Sequence, residues 1–222
     1  MQGNRTEDKH IYLEENRYEE PKEISKLLLN LIRDSNILKQ GVSVCDIGCA
    51  AGEYLYYMHK SFPDAEYTGY DVVPELLDKA RIWVPDVQFE EGSILQRDLL
   101  SPSSVDILIM SGVCGIFDDV EPLIANLVNW TKPGGRIYIT DTFNPYPIDV
   151  WIKYRLSEDP DKSRVESGWN LHSKASISQY LDLTIGSDRH TFTPFEMPFD
   201  IPCNEDDLAR TWTMLDSDGH RH

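Results

Sequence analysis

A doubly wound α/β fold on a mostly parallel sheet is what this sequence predicts, and three observations predict it. Short apolar runs alternate with amphipathic stretches after Gly41. A glycine-bearing turn joins the first run to the first amphipathic stretch, and an aspartate closes the second run about 20 residues further on. A chain of 222 residues has room for one such domain with a full core, whereas two would leave both halves small, so residues 1–222 are read as a single domain.

Each element follows from local pattern. Between His10 and Asp34, the residues Ile11, Leu13, Tyr18, Ile24, Leu27, Leu28, Leu31 and Ile32 recur at helical spacing, and Pro21 begins a new helix rather than continuing one. Two helices are therefore expected within 1–40. From 41 to 141 the order is VSVCDI, EYLYYMHKSF, EYTGYD, PELLDKARIW, VQFEE, VDILIM, EPLIANLVNW and GRIYITD, strand and helix alternating with right-handed crossovers. Pro133-Gly134-Gly135 stops the helix that ends at Trp130 and turns the chain into a fifth strand. From 142 to 222 the pattern loosens. Asn144-Pro145-Tyr146-Pro147 breaks regular structure ahead of an aromatic stretch through Trp151, Tyr154 and Trp169, where substrate contacts are expected. A helix near Ser176 to Leu183 and strands around Asp188 to Phe195 and Ala209 to Leu215 would complete a seven-stranded, Rossmann-like sheet with an antiparallel C-terminal strand.

Composition narrows the partners. A formal charge of −17, from 38 acidic against 21 basic side chains, repels phosphate backbones and anionic lipid, and no basic patch offsets it. Nucleic acid and membrane are not expected partners. Neither a membrane-length apolar run nor a signal-peptide pattern is present, so the expected location is cytoplasmic. Cys45, Cys49, Cys114 and Cys203 form no CxxC pair and lack histidines at zinc spacing, so free thiols are expected and no metal.

The strongest signal is Asp46-Ile47-Gly48-Cys49-Ala50-Ala51-Gly52-Glu53, running from the first strand into a helix. Gly48 and Gly52 let the backbone bend tightly and let a ligand lie against main-chain N–H groups, although a ligand-free turn uses the same residues. Asp71, ending Tyr67-Thr68-Gly69-Tyr70-Asp71, stands where a ribose-binding acid is expected, or where an acid would cap the helix starting near Pro74. Together they favour a nucleoside. A dinucleotide would want glycines at Gly48, Ala50 and Glu53; two of the three fail, and the Glu53 carboxylate would repel a pyrophosphate. S-adenosylmethionine, with its adenosine, ammonium and sulfonium and no phosphate, fits better. Ala50 is expected to fit if its φ stays negative.

From Val42 to Asp141 the sequence resembles the class I S-adenosylmethionine-dependent methyltransferases, with their motifs in order. The resemblance implies that Asp46 orients the methionine ammonium, that Gly48 and Gly52 border the methionine part, that Asp71 holds the ribose, and that Cys49, Ala50 and Val72 belong to the same cofactor site. It places Gly92-Ser93-Ile94 at the adenine, with Ser93 where the family more often has an acid, and Ser111-Gly112 beside the methionine moiety. It implies a methyltransferase acting on a small-molecule acceptor. The segment past the fifth strand resembles, more loosely, methyltransferases of surface-polysaccharide and small-metabolite pathways, which implies a sugar hydroxyl or a sugar linked to a nucleotide as acceptor.

Methyl transfer from a sulfonium is an in-line displacement that gains most from alignment. A hydroxyl acceptor would also use a general base, for which Asp141, Glu166, His172 and Glu196 are candidates. His172 comes first because Gly168-Trp169-Asn170-Leu171-His172 sets an imidazole beside an aromatic ring and an amide; a capping or surface histidine would show the same pattern. Tyr12 and Tyr18 either cover the cofactor or pack between helices. Two other readings stay open at this point: a catalytically silent S-adenosylmethionine-binding partner protein, and an NAD-dependent oxidoreductase.

Overall fold

Five strands, β1 (Ser43–Ile47), β2 (Glu66–Asp71), β3 (Gln88–Glu91), β4 (Val105–Ser111) and β5 (Thr131–Thr140), form one sheet in the order β3-β2-β1-β4-β5. Every neighbouring pair is parallel. The computed structural model describes residues 9–155, 157, 160, 161, 163 and 165–199.

The central strands are apolar at successive positions because both of their faces are covered. Helices α2 (Glu23–Asp34), α3 (Glu53–Ser61) and α4 (Pro74–Trp83) bury Leu29, Ile32, Leu55, Met58 and Leu77 on one face, against Val44, Phe89, Ile107 and Ile109. Helices α5 (Glu121–Trp130) and α6 (Lys174–Ile185) bury Leu123, Leu127, Trp130 and Ile177 on the other, against Cys45, Ile47, Leu108 and Met110. Each such side chain contributes roughly 1.5–3 kcal/mol relative to exposure, so these two layers outweigh the local signals. Local signals set the helix starts. Pro74 and Pro122 occupy first turns, where a missing N–H costs nothing, and Ser173 Oγ accepts the Ser176 N–H at 3.0 Å to cap α6.

Strand order reverses at β1: the chain builds outward to β3, then returns to lay β4 and β5 on the other side. That reversal opens a crevice at the carboxyl ends of β1 and β4. The N-terminal segment lies along it. After α1 (Lys9–Glu14), the Lys79 ammonium of α4 donates to the carbonyls of Tyr12 at 2.9 Å, Leu13 at 3.1 Å and Glu15, groups that a helix end leaves without partners. Tyr18 is 1% exposed, stacks on Trp83 at 4.6 Å and donates to the Ala51 carbonyl at 2.8 Å.

Two expectations change. Asp188 to Phe195 is not a strand: a 3-10 turn (Ser187–Arg189) leads into irregular chain, Phe192 packs edge-on against Phe143 at 5.8 Å, and Pro194 has no N–H to give a ladder. The sheet therefore has five strands among the described residues rather than seven, and Ala209 to Leu215 lies outside those residues. The Pro-Gly-Gly turn does not precede the fifth strand but sits inside β5 as an irregularity, with Val105 opposite Thr131 and Ile107 already opposite Arg136. In the loose segment, β6 (Lys153–Tyr154) and β7 (Glu166–Ser167) form a short antiparallel pair.

Lys79→Met should free the end of α1. The expected result is faster amide hydrogen exchange across residues 11–18 by a local loss of about 1–3 kcal/mol, with the sheet unaffected. Unchanged exchange there would contradict the anchoring role.

Candidate active site

The crevice is built from the loops that leave β1, β2, β3, β4 and β5. At the end of β1, the N–H groups of Gly48 and Cys49 donate to the Tyr70 carbonyl at 2.7 and 3.0 Å, folding the loop back over β2. Gly48 has φ +81°, and a side chain there would stand 2.6 Å from Val113 Cγ2, so the loops after β1 and β4 touch only because it has none.

Ala50 corrects the expectation of negative φ. It sits at +47°, in the left-handed region. The reason is its amide, which donates to Asp71 Oδ2 at 2.9 Å. Asp71 Oδ1 accepts the Val73 N–H at 2.9 Å, so one carboxylate both pins the glycine loop and starts α4. Gly52 turns away from the crevice. It begins α3 at φ +76°, and a side chain there would meet Phe89 at 2.7 Å, so its place is structural.

Asp46 is the feature that stands out. It is 3% exposed, and its Oδ1 is buried without a hydrogen-bond partner. Burial, and then the Asp71 charge, push its pKa up to about 7. Burial also raises the pKa of Asp71, against the pull of the Ala50, Val73 and Val72 amides. Glu53 follows the same direction for the same reason, with Oε1 accepting the Arg17 N–H at 2.9 Å. Three acids thus face one cavity, which Asp46, Gly48, Cys49, Ala50, Glu53, Asp71 and Val72 line together.

Gly92, Ser93 and Ile94 line it on the β3 side, where Ser93 spends its amide on Gln96 Oε1 at 2.7 Å and Asn126 holds the Ile94 carbonyl at 2.7 Å. Ser111 and Gly112 line the β4 side. Ser111 Oγ lies 2.6 Å from Thr140 Oγ1, and Gly112, at φ +68°, has open space where a side chain would be. Asp141 is half-buried and lines the same end. Its oxygens accept Gly115 N–H at 3.1 Å and Thr142 N–H at 2.8 Å, and burial raises its pKa despite those bonds.

His172 is a correction. Its ring is 5% exposed and lies outside the cavity lining, and Nε2 faces the carbonyls of Cys114 at 3.2 Å and Phe117 at 2.9 Å, to which it donates. Asn170 works beside it, donating to the Phe117 carbonyl at 3.0 Å while its Oδ1 accepts Ile152 N–H at 2.9 Å. Both tie the turn after β4 to the later segment. Glu196 is exposed and not among the residues that line the cavity, and Glu166 contributes backbone to β7. Arg17, Tyr54 and Thr140 line the cavity and were not singled out from sequence. Nothing in an isolated arginine, tyrosine or threonine signals a crevice that only the fold creates.

A family model described as a methyltransferase domain matches residues 38–182. The chain belongs to this methyltransferase-domain family. Trans-aconitate 2-methyltransferase of Escherichia coli is 30% identical over 143 residues, 63% of this chain and 53% of the relative, so the chain spans about half the length of the curated relatives it matches. Among solved structures, YcgJ of Bacillus subtilis superposes with a TM-score of 0.54 at 20% identity, over 71% of this chain and 67% of that one. DesVI of Streptomyces venezuelae does so at 0.51 and 17%, over 72% and 80%. At those identities the likeness is one of fold.

The cofactor of the methyltransferase domain is S-adenosylmethionine. The crevice fits it. A buried acid without a partner suits a cation, Gly112 leaves room, and residues 46–54 carry no lysine or arginine to draw a phosphate. The oxidoreductase alternative falls with that assignment. Among the described residues no helix is long and apolar enough to cross a membrane.

Two outcomes follow. Between about pH 4 and about 7 the folded cofactor-free domain holds the Asp46 proton that the unfolded chain has released, so stability falls as pH rises through that window. Asp46→Asn should flatten this decline in melting temperature, and a slope equal to wild type would contradict it. Ala50→Gly should stabilise by about 1 kcal/mol in urea unfolding, because glycine accepts the left-handed φ; a loss would contradict the strain.

Proposed function

We propose that this chain transfers the methyl group of S-adenosylmethionine to a hydroxyl of a polar small molecule, a sugar or sugar-linked metabolite. The observation that carries the reading is the partnerless, buried Asp46 Oδ1 at the switch point. In this reading Asp46 takes the ammonium of the cofactor and Asp71 the ribose hydroxyls, while Gly92, Ser93 and Ile94 border the adenine.

The cofactor supplies an electrophilic methyl carbon on a sulfonium leaving group. The protein's part is alignment and proton handling. The ends of β4 and β5 bring Ser111, Thr140, Asp141 and Thr142, hydroxyls and a carboxylate, to the lining of the cavity, which suits a hydroxyl acceptor. Trp169 and Tyr154 line the cavity too and offer aromatic surface to an acceptor. Asp141 is the group that takes the acceptor proton. Its oxygens hold backbone amides, leaving lone-pair capacity, and its raised pKa makes it a better proton acceptor than an exposed aspartate. His172 keeps the turn that carries Gly115 in place.

A carboxylate acceptor is the second reading, favoured by the relatives named for trans-aconitate. The test supplies the protein with S-adenosylmethionine and, in parallel, free and nucleotide-linked sugars and di- and tricarboxylates including trans-aconitate, and reads S-adenosylhomocysteine formed. Turnover with hydroxyl compounds is expected, and Asp141→Asn should lower kcat by about 100-fold or more. Turnover with carboxylates alone would replace the hydroxyl reading. Cofactor binding without turnover on any acceptor would favour a silent binding protein.

A further inference from the structure

Tyr54 follows Glu53 in the first turn of α3 and, like Tyr57 and Tyr138, packs against the core from its margin. Its hydroxyl is buried without a hydrogen-bond partner, as is Asp46 Oδ1, and both residues line the same cavity. The neighbouring Tyr67 is not in this condition: its hydroxyl donates to the Phe62 carbonyl at 2.9 Å. The unmet donor is thus a property of the Tyr54 position and not of tyrosines in this core. A buried hydroxyl that has given up water and found no protein acceptor is an incomplete site.

The two incomplete groups are complementary in kind. One is an anionic acceptor and the other a neutral donor, and an α-amino acid presents a cationic donor and an anionic acceptor on one carbon. We propose that Tyr54 donates its hydroxyl proton to the carboxylate of the cofactor's amino-acid head while Asp46 takes the ammonium, so that the pair forms one zwitterion site. This rests on the cofactor placement proposed above. Arg17 lines the cavity as well, but its guanidinium faces Glu15 at 3.7 Å. Burial, and then the Asp46 charge, raise the phenol's pKa, so Tyr54 stays a donor throughout the working pH range. A neutral donor also leaves the negative potential that attracts the ammonium undiminished.

Tyr54→Phe removes one oxygen and keeps the ring. Calorimetric titration of wild type and variant with S-adenosylhomocysteine and with 5′-methylthioadenosine, which has the same adenine and ribose and no amino-acid head, separates the possibilities. The variant should bind S-adenosylhomocysteine roughly tenfold or more weakly and 5′-methylthioadenosine within about twofold of wild type. Unchanged S-adenosylhomocysteine affinity in the variant, with wild type preferring it over 5′-methylthioadenosine, would overturn this assignment and leave the cofactor placement intact. Equal loss for both ligands would make Tyr54 structural and also overturn it. Wild type binding the two equally would give the amino-acid head no site here and overturn both.

Discussion

A carboxylate buried without a counter-charge is expensive, and the sheet holds one at its centre. Asp46 lies on β1 between Gly69 of β2 and Ile109 of β4, with Asp71 close enough to raise its pKa further. Nothing local relieves it: Asp71 has spent its oxygens on Ala50 and Val73, and Glu53 has turned to Arg17. A cationic ligand is the physical resolution, and the loops around Asp46 are arranged to admit one. Gly48 brings the loops after β1 and β4 together, Ala50 takes a left-handed φ to reach Asp71, and Gly112 leaves open space.

That arrangement is supported from two directions. On one side the N-terminal segment is fixed by side chains to α4 and to the loop itself, through Lys79, Tyr18 and Trp83. On the other, Asp141, Asn170 and His172 take up amides and carbonyls of the 114–118 turn, so the end of β5 and the later segment jointly hold the β4 loop. Buried polar networks of this kind specify one geometry because each missing bond would leave a group unsatisfied. The histidine therefore serves the site by shaping a loop wall instead of facing the acceptor.

Much of this was legible in the sequence, and the exceptions share a cause. The five strands and the helices between them were readable because buried central strands are continuously apolar and the helices alternate at a period close to four. The glycine loop and Asp71 were readable because few residues accept those turns and that position. The sign of φ at Ala50 was not, since it depends on where the Asp71 carboxylate lies across the sheet. His172 looked like a base because a sequence does not show that two carbonyls will close over it. Asp188 to Phe195 read as a strand, but Phe192 found an aromatic partner and the chain found no ladder. Tyr54 gave no signal at all, because an unsatisfied hydroxyl exists only after its neighbours have been placed.

The most direct test of the central claim counts protons. Calorimetric titration with S-adenosylmethionine near pH 7, in two buffers of different ionisation enthalpy, reports how many protons leave the protein as the cation binds. With the pKa of Asp46 pushed up to about 7 before binding and the group ionised beside an ammonium afterwards, net proton release on binding is predicted, absent in Asp46→Asn. Binding with no proton released by the wild type would mean that Asp46 is not the counter-charge, and the account of this crevice would fail.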